Sequence, residues 1–294
     1  MIDVLLVQPP VSFLSNKIRN DIVPNCPHLG LLYLAAGIER LGLKVKIIDA
    51  IDGSFTDKEI IDFIVRQKPK VIGISASTMN IRGAVQLAEK IKQNDLDVAV
   101  CLGGAHMTAD TTIVNRFDCF DFGITGQADI TFPEIVRKIV YDKEISKGTI
   151  SSVLPDNLDN LPFPANHLVD WNYYIRKRGL RTNTILASRG CPFNCIFCSI
   201  PSILRKHCVR SPELILEEMI KTYELNKIDT FVFADDVFTL NRNHIIELCR
   251  VLKRYGKKFK WEAQTRVDLV DSELLREMKE AGCCKLLFGI ESGN

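Results

Sequence analysis

Short apolar runs alternate with longer amphipathic stretches along most of the chain, and this alternation restricts the fold more than any other feature. Runs at 4–8, 45–49, 71–75, 98–102 and 122–125 are short, apolar and rich in Val, Ile and Leu, as expected of strands buried on both faces. Between them, Leu29-Gly-Leu-Leu-Tyr-Leu-Ala-Ala-Gly-Ile-Glu-Arg-Leu and Ile81-Arg-Gly-Ala-Val-Gln-Leu-Ala-Glu-Lys-Ile carry apolar residues at helical spacing. The pattern predicts an α/β fold with a doubly wound, flavodoxin-like or Rossmann-like parallel sheet over residues 1–142. Ligands of such sheets sit beyond the carboxyl ends of the strands.

Residues 143–181 interrupt the alternation, and the two prolines of Leu158-Asp-Asn-Leu-Pro-Phe-Pro-Ala discourage helix and ladder alike, which predicts a packed linker. A second alternation follows, with strands at 184–187, 230–234, 260–265 and 285–290 and helices at 212–225, 242–255 and 272–281. Four such units predict part of a (β/α) barrel over residues 182–294. No helix follows the last strand to cover it, so this barrel is expected to be incomplete at its carboxyl end.

Charge and hydropathy narrow the function classes. With 38 basic and 36 acidic residues the formal net charge is +2, which gives no basis for a nucleic-acid partner. No apolar run approaches the ~20 residues of a membrane span, and the amino terminus lacks the basic flank of a signal peptide, so a cytoplasmic location is expected. In a reducing compartment ten cysteines point to metal or catalysis before disulfides. Cys26, Cys101, Cys119 and Cys249 stand singly among apolar neighbours and are expected as small buried hydrophobes. The vicinal pair Cys283 and Cys284 is expected to place one thiol inside and one outside.

Cys191, Cys195 and Cys198 differ, because they cluster on a loop predicted to follow the first strand of the second domain. Thiolates are soft ligands that select iron-sulfur clusters or zinc. Three ligands leave one metal position open for a substrate, whereas a structural site closes with four. The competing reading is a zinc-stabilised, non-catalytic binding module, with His207 or Cys208 as the fourth ligand.

Arg189-Gly-Cys-Pro-Phe-Asn-Cys-Ile-Phe-Cys resembles the signature loop of the radical S-adenosylmethionine superfamily. Cys208-Val-Arg-Ser-Pro-Glu, Phe233-Ala-Asp-Asp-Val-Phe-Thr, Glu262-Ala-Gln-Thr-Arg and Phe288-Gly-Ile-Glu-Ser-Gly resemble further segments of that superfamily, in the same order. The resemblance implies a 4Fe-4S cluster on Cys191, Cys195 and Cys198, whose open iron chelates S-adenosylmethionine and whose electron cleaves it to methionine and a deoxyadenosyl radical. It also implies a ferredoxin or flavodoxin as electron donor. Phe197 would offer an aromatic face to the adenine. Ala234, Asp235 and Asp236 would accept from the ammonium group, with solvated loop acids as the alternative. Gln264 and Arg266 would meet the carboxylate, unless Arg266 pairs with Asp268 or Asp271, and Glu291 would accept from the ribose hydroxyls.

Pro27-His-Leu-Gly-Leu-Leu-Tyr-Leu-Ala, Ile72-Gly-Ile-Ser and Leu102-Gly-Gly-Ala-His-Met-Thr resemble the cobalamin-binding domain of one subgroup of that superfamily. Ser75, Thr78, Gly103, Gly104 and Gly126 would then form a cofactor-binding rim. Gln8-Pro-Pro-Val-Ser-Phe-Leu lacks the Asp-x-His-x-x-Gly loop, so a cobalamin here is expected without a histidine lower ligand. Gly126-Gln-Ala-Asp129 also departs from the Gly-Glu-Gly-Glu of that subgroup. The resemblance implies a methyltransferase or related oxidoreductase that methylates or rearranges an unactivated carbon of a small molecule or natural product. A radical enzyme without cobalamin is the alternative. His28 and His106 are expected as helix-start or loop hydrogen-bonders, and Arg205, Lys206 and Arg210 as a solvated basic face. No substrate-contacting catalytic residue is legible, because such residues sit on variable loops.

Overall fold

The computed structural model describes residues 1–11, 26–144, 147–178, 182–200, 204, 206–291 and 293. Residues 12–14 of the loop after the first strand, Pro201 and Arg205 therefore lie outside the described residues. The described residues form two compact α/β units.

The first unit is a six-stranded parallel sheet in the order β2-β1-β3-β4-β5-β6. Its strands are β1 (Val4–Gln8), β2 (Val45–Asp49), β3 (Val71–Ser75), β4 (Ala99–Gly103), β5 (Phe122–Thr125) and β6 (Gly148–Ser151). The helices are α1 (Leu29–Glu39), α2 (Asp57–Gln67), α3 (Ile81–Gln93), the short α4 (Ala105–Ala109) and α5 (Ile113–Arg116), and α6 (Thr131–Arg137). Strand alternation divides the core into two layers. Leu5, Val7, Ile72, Ile74, Val100 and Leu102 face Ile60 and Ile64 of α2, Leu87 and Ile91 of α3, and Met107 and Ile113. Val4, Leu6, Val71, Cys101, Phe122 and Ile124 face Leu31, Ala35 and Ile38 of α1 and Phe132 and Val136 of α6. Helices on both faces make the sheet doubly wound, as the sequence predicts, and explain why its strands read as continuous apolar runs.

Local signals start and stop these helices. His28 caps α1 by accepting from the Leu31 N–H at 3.2 Å, which is the helix-start role expected of it. Thr56 and Glu59 form a reciprocal capping box at α2. The segment expected as a linker contributes β6, which pairs in parallel with β5, so the first sheet has one strand more than the five that hydropathy predicts. The strand was illegible because Gly148-Thr-Ile-Ser has a single strongly apolar residue, as suits a half-exposed edge.

The second unit includes α7 (Trp171–Arg178) and carries a four-stranded parallel sheet in the order β12-β11-β10-β7. These strands are β7 (Thr182–Ile185), β10 (Thr230–Phe233), β11 (Lys260–Thr265) and β12 (Cys283–Phe288). Helices α8 (Pro212–Asn226), α9 (Arg242–Tyr255) and α10 (Ser272–Glu280) cover one face. Ile185, Phe231, Phe233, Trp261 and Ala263 pack there against Ile215, Met219, Leu248, Leu252, Leu274 and Met278. Thr184, Val232, Glu262 and Gln264 occupy the alternate, more exposed positions. Asn241 and Asp271 cap α9 and α10 by accepting from the N–H groups of His244 and Leu274. A small antiparallel ribbon, β8 (Ser188–Arg189) with β9 (Cys208–Val209), was not predicted, because two-residue strands leave no period to read. Among the described residues no helix is long and apolar enough to cross a membrane.

Candidate functional site

The three clustered cysteines lie on the loop between β8 and β9, which leaves the carboxyl end of β7. Gly190 opens the loop at φ +90°, where a side chain would collide with the Lys206 carbonyl. Cys191 N–H donates to Leu204 O at 3.2 Å, and Cys198 N–H donates to Cys195 O at 3.0 Å, giving the loop internal turns. Cys191 is buried, while Cys195 and Cys198 are half-buried. Burial pushes the Cys191 thiol up, the N–H of Phe193 opposes this, and Asp236, Cys198 and Cys195 push it further up. A cation at this loop would relieve the repulsion that Cys191 feels from Asp236, Cys198 and Cys195. Among the described residues no three or more His, Cys, Asp or Glu side chains stand together so that they could hold a metal ion, the three cysteines included. Soft donors gathered on one loop fit an iron-sulfur cluster.

The ends of β10 and β11 hold this loop. Asp235, 1% exposed, accepts the Ala187 N–H at 3.0 Å and the Ser188 hydroxyl at 2.5 Å. Burial raises its pKa to about 7, although the hydrogen bonds from Ser188 and Ala187 lower it. The expectation that Asp235 offers its carboxylate to an ammonium group, or lies in water, is corrected: both oxygens are turned inward to the start of the loop. Asp236 accepts the Gly190 N–H at 3.1 Å and is half-buried. Gln264 donates to Asp235 O at 3.1 Å.

Arg266 pairs with Asp268, the alternative weighed for it, and also reaches the cysteine loop. It grips Asp268 through Nε at 2.9 Å and Nη2 at 2.8 Å, while Nη1 lies 3.8 Å from Cys195 Sγ. Its guanidinium stands 4.2 Å over the Phe193 ring. Asp271 is engaged by Arg242 instead. Phe197 is 67% exposed and so is not a core residue. Glu291 lies beyond the end of β12, exposed and at φ +61°.

In the first unit, the expected rim lies at the carboxyl ends of β3, β4 and β5. Ser75 pairs in register with Gly103. Gly104 at φ +92° presses against the Ala76 backbone, where an added Cβ would sit 2.6 Å from the carbonyl oxygen. Gly103 differs, because a Cβ there would meet nothing within 4 Å. That open face beside a closely packed turn fits a large flat ligand. Thr78 Oγ1 and His106 Nδ1 are hydrogen-bonded at 3.1 Å, so His106 is a hydrogen-bonder at a helix start, one of the two roles expected of it. Sequence reasoning missed Thr108, which donates to Gly104 O and accepts the Gly126 N–H at 2.9 Å, linking two of the predicted glycines. Its position four residues after Gly104, on a short helix, was the available signal.

A doubly wound domain with a glycine rim, and a second parallel sheet with three cysteines at one strand end, define a two-domain cofactor-binding class. Residues 16–136 match the family model of the B12 binding domain, and residues 185–294 match that of the radical SAM superfamily. An uncharacterized methyltransferase of Pyrococcus horikoshii is 32% identical over 99% of this chain and 66% of its own length. The anaerobic magnesium-protoporphyrin IX monomethyl ester cyclase of Rubrivivax gelatinosus is 26% identical over 92% of this chain and 53% of its own. The structure of the cobalamin-dependent S-adenosylmethionine radical enzyme OxsB, with aqua-cobalamin and S-adenosylmethionine bound, superposes with a TM-score of 0.78 at 20% identity. That likeness covers 100% of this chain and 44% of OxsB. The chain belongs to the radical SAM superfamily, in the subgroup with a B12 binding domain. It spans two thirds or less of the length of these relatives.

Proposed function

We propose that the chain is the cofactor-bearing part of an enzyme that reductively cleaves S-adenosylmethionine and methylates an unactivated carbon of a small-molecule or natural-product substrate. The observation that carries this reading is three cysteines on one loop at a parallel strand end, in a chain that matches both the radical SAM and the B12 binding family models.

Cys191, Cys195 and Cys198 would hold a 4Fe-4S cluster, which when bound supplies one electron to S-adenosylmethionine. The protein's own part is positioning. Asp235 and Asp236 anchor the start of the loop through Ala187, Ser188 and Gly190. In this reading the Ala234 carbonyl and the Asp236 carboxylate receive the ammonium group, and Gln264 and Arg266 face the carboxylate. Phe197 lends an exposed ring to the adenine, and Glu291 accepts from the ribose. Ser75, Thr78, Gly103, Gly104 and Gly126 would line the corrin site, where Gly103 leaves open space beside the strand end. A ferredoxin or flavodoxin delivers the electron, in the cytoplasm.

The test is anaerobic reconstitution of the complete gene product with iron and sulfide, followed by reduction and incubation with S-adenosylmethionine. Deoxyadenosine and methionine are the expected products, and no cleavage would overturn the reading. Corrin absorbance retained after incubation with hydroxocobalamin and desalting separates a cobalamin-dependent enzyme from one without it. A second reading, ring formation, is favoured by the cyclase relative, whose match covers 92% of this chain. Product mass separates the two: methylation adds one methyl group, and ring closure removes hydrogen.

A further inference from the structure

The neck of the cysteine loop rests on one buried ion pair. Directly after β9, Arg210 donates its backbone N–H to Ala187 O at 2.8 Å and its Nη1 to Leu186 O at 3.0 Å. Leu186 and Ala187 lead from β7 into the loop. The same Nη1 meets Glu218 Oε2 of α8 at 2.7 Å, with the two side chains 5% and 2% exposed. The His244 ring donates from Nε2 to Arg210 O at 2.6 Å. Arg210 thus touches both sides of the neck, and it is not part of a solvated basic face as its sequence neighbours suggest: Lys206 is exposed, but Arg210 is drawn inside by Glu218.

A pair this deep costs the desolvation of two ions, and a well-packed apolar pair is commonly as stable. Its distinguishing property is charge beside a held carbonyl. Nη1 donates to Leu186 O while the Glu218 carboxylate lies beside it as the counter-charge, an arrangement no apolar pair reproduces.

We propose that Glu218 is a positioning residue for the iron-sulfur cluster, acting through Arg210 to fix the backbone from which Cys191 departs. The inference rests on the reading of Cys191, Cys195 and Cys198 as cluster ligands. Glu218 is not a ligand and touches no reacting atom. Its carboxylate attracts Arg210 Nη1, that Nη1 donates to Leu186 O, and the backbone N–H of Arg210 donates to Ala187 O.

The test uses the complete gene product and three variants: Glu218→Gln, Glu218→Asp, and the apolar double replacement Arg210→Met with Glu218→Leu. Two readouts are independent of turnover: iron and sulfide bound per chain under limiting iron, and amide exchange of the peptide from β7 to Cys191. The double variant should melt close to the parent, yet bind the cluster about tenfold more weakly, the scale of loss seen when groups supporting a ligand are removed. Its neck amides should exchange about tenfold faster. Glu218→Gln should lose cluster affinity with an unchanged circular dichroism spectrum, and Glu218→Asp should recover part of it. If the double variant does not fold, Glu218→Gln decides. Parental iron content and parental exchange in the folded variants would overturn the proposal. A parent chain that binds no iron would instead overturn the cluster reading, and the exchange measurement would still report on the neck.

Discussion

Asp235 accepts the hydroxyl of Ser188 at 2.5 Å, so the end of β10 is tied to the first residue of β8 just before the cysteine loop. This carboxyl is buried with its pKa raised to about 7, against an ordinary value of 3.8. For an acid with a raised folded pKa, the folded state holds the proton between the two values and the unfolded state does not. Stability from the neutral form is therefore complete below the unfolded pKa and is lost as pH rises through about 7. Urea unfolding of the chain before reconstitution should show stability falling by up to ~1.4 kcal/mol per pH unit between about pH 4 and 7 from this group. Asp235→Asn keeps the shape, with its amide donating to Ser188 Oγ, and should flatten that slope. An unchanged slope in the variant would place the titration elsewhere.

Gly103 and Gly104 are adjacent but should respond oppositely to a methyl group. Gly104→Ala forces an alanine to φ +92° with its Cβ against the Ala76 backbone, so it should cost about 2 kcal/mol or more in thermal unfolding. Gly103→Ala adds its methyl to open space, so its melting temperature should stay within a few degrees of the parent. The same methyl fills the face assigned to the corrin, so hydroxocobalamin affinity should fall about tenfold or more by absorbance titration. Unchanged corrin binding in Gly103→Ala would move the ligand away from this strand end.

Thiol accessibility should divide the ten cysteines sharply. Burial pushes the Cys249 thiol up to about 12 and the Cys101 thiol higher still. Neither should react with iodoacetamide at neutral pH in the folded chain, because the thiolate is the nucleophile. Cys284 is exposed and should be labelled early. Peptide mass spectrometry reads the order, and early modification of Cys101 or Cys249 would contradict the packing described.

Replacing Cys191, Cys195 or Cys198 singly with alanine should reduce bound iron to about a tenth or less of the parent, because each supplies one of three ligands. Cys119→Ala removes a buried thiol from the core of the first unit and should cost about 1 kcal/mol of stability while leaving iron binding intact. Iron and sulfide assays with thermal melts check both halves.

The fold was legible wherever side-chain period and burial coincide. Strands such as Val4–Gln8 and Val71–Ser75 are buried on both faces, so their apolar runs announce a parallel sheet before any contact is known. The edge strand Gly148–Ser151 and the ribbon of Ser188–Arg189 with Cys208–Val209 were not legible, because edge position and brevity remove the pattern. Cysteine spacing marked the loop, since three thiols within eight residues point to a metal or cluster rather than to packing. What supports the loop was hidden. Asp235 reads in the sequence as a ligand-facing or solvated acid and Arg210 as part of a solvated basic face, and their burial, like that of Glu218, arises from long-range contacts between β7, β10 and α8. Arg266 lay between these cases, as its pairing with Asp268 could be read locally but its approach to Cys195 could not.

The central claim is that three sulfur ligands leave one iron free to take the amino acid end of S-adenosylmethionine. Electron paramagnetic resonance of the anaerobically reconstituted and reduced protein, with and without S-adenosylmethionine, tests it most directly. A 4Fe-4S signal near one cluster per chain, whose line shape changes when S-adenosylmethionine is added, is the predicted result. Zinc in place of iron, or a cluster signal indifferent to S-adenosylmethionine, would contradict it.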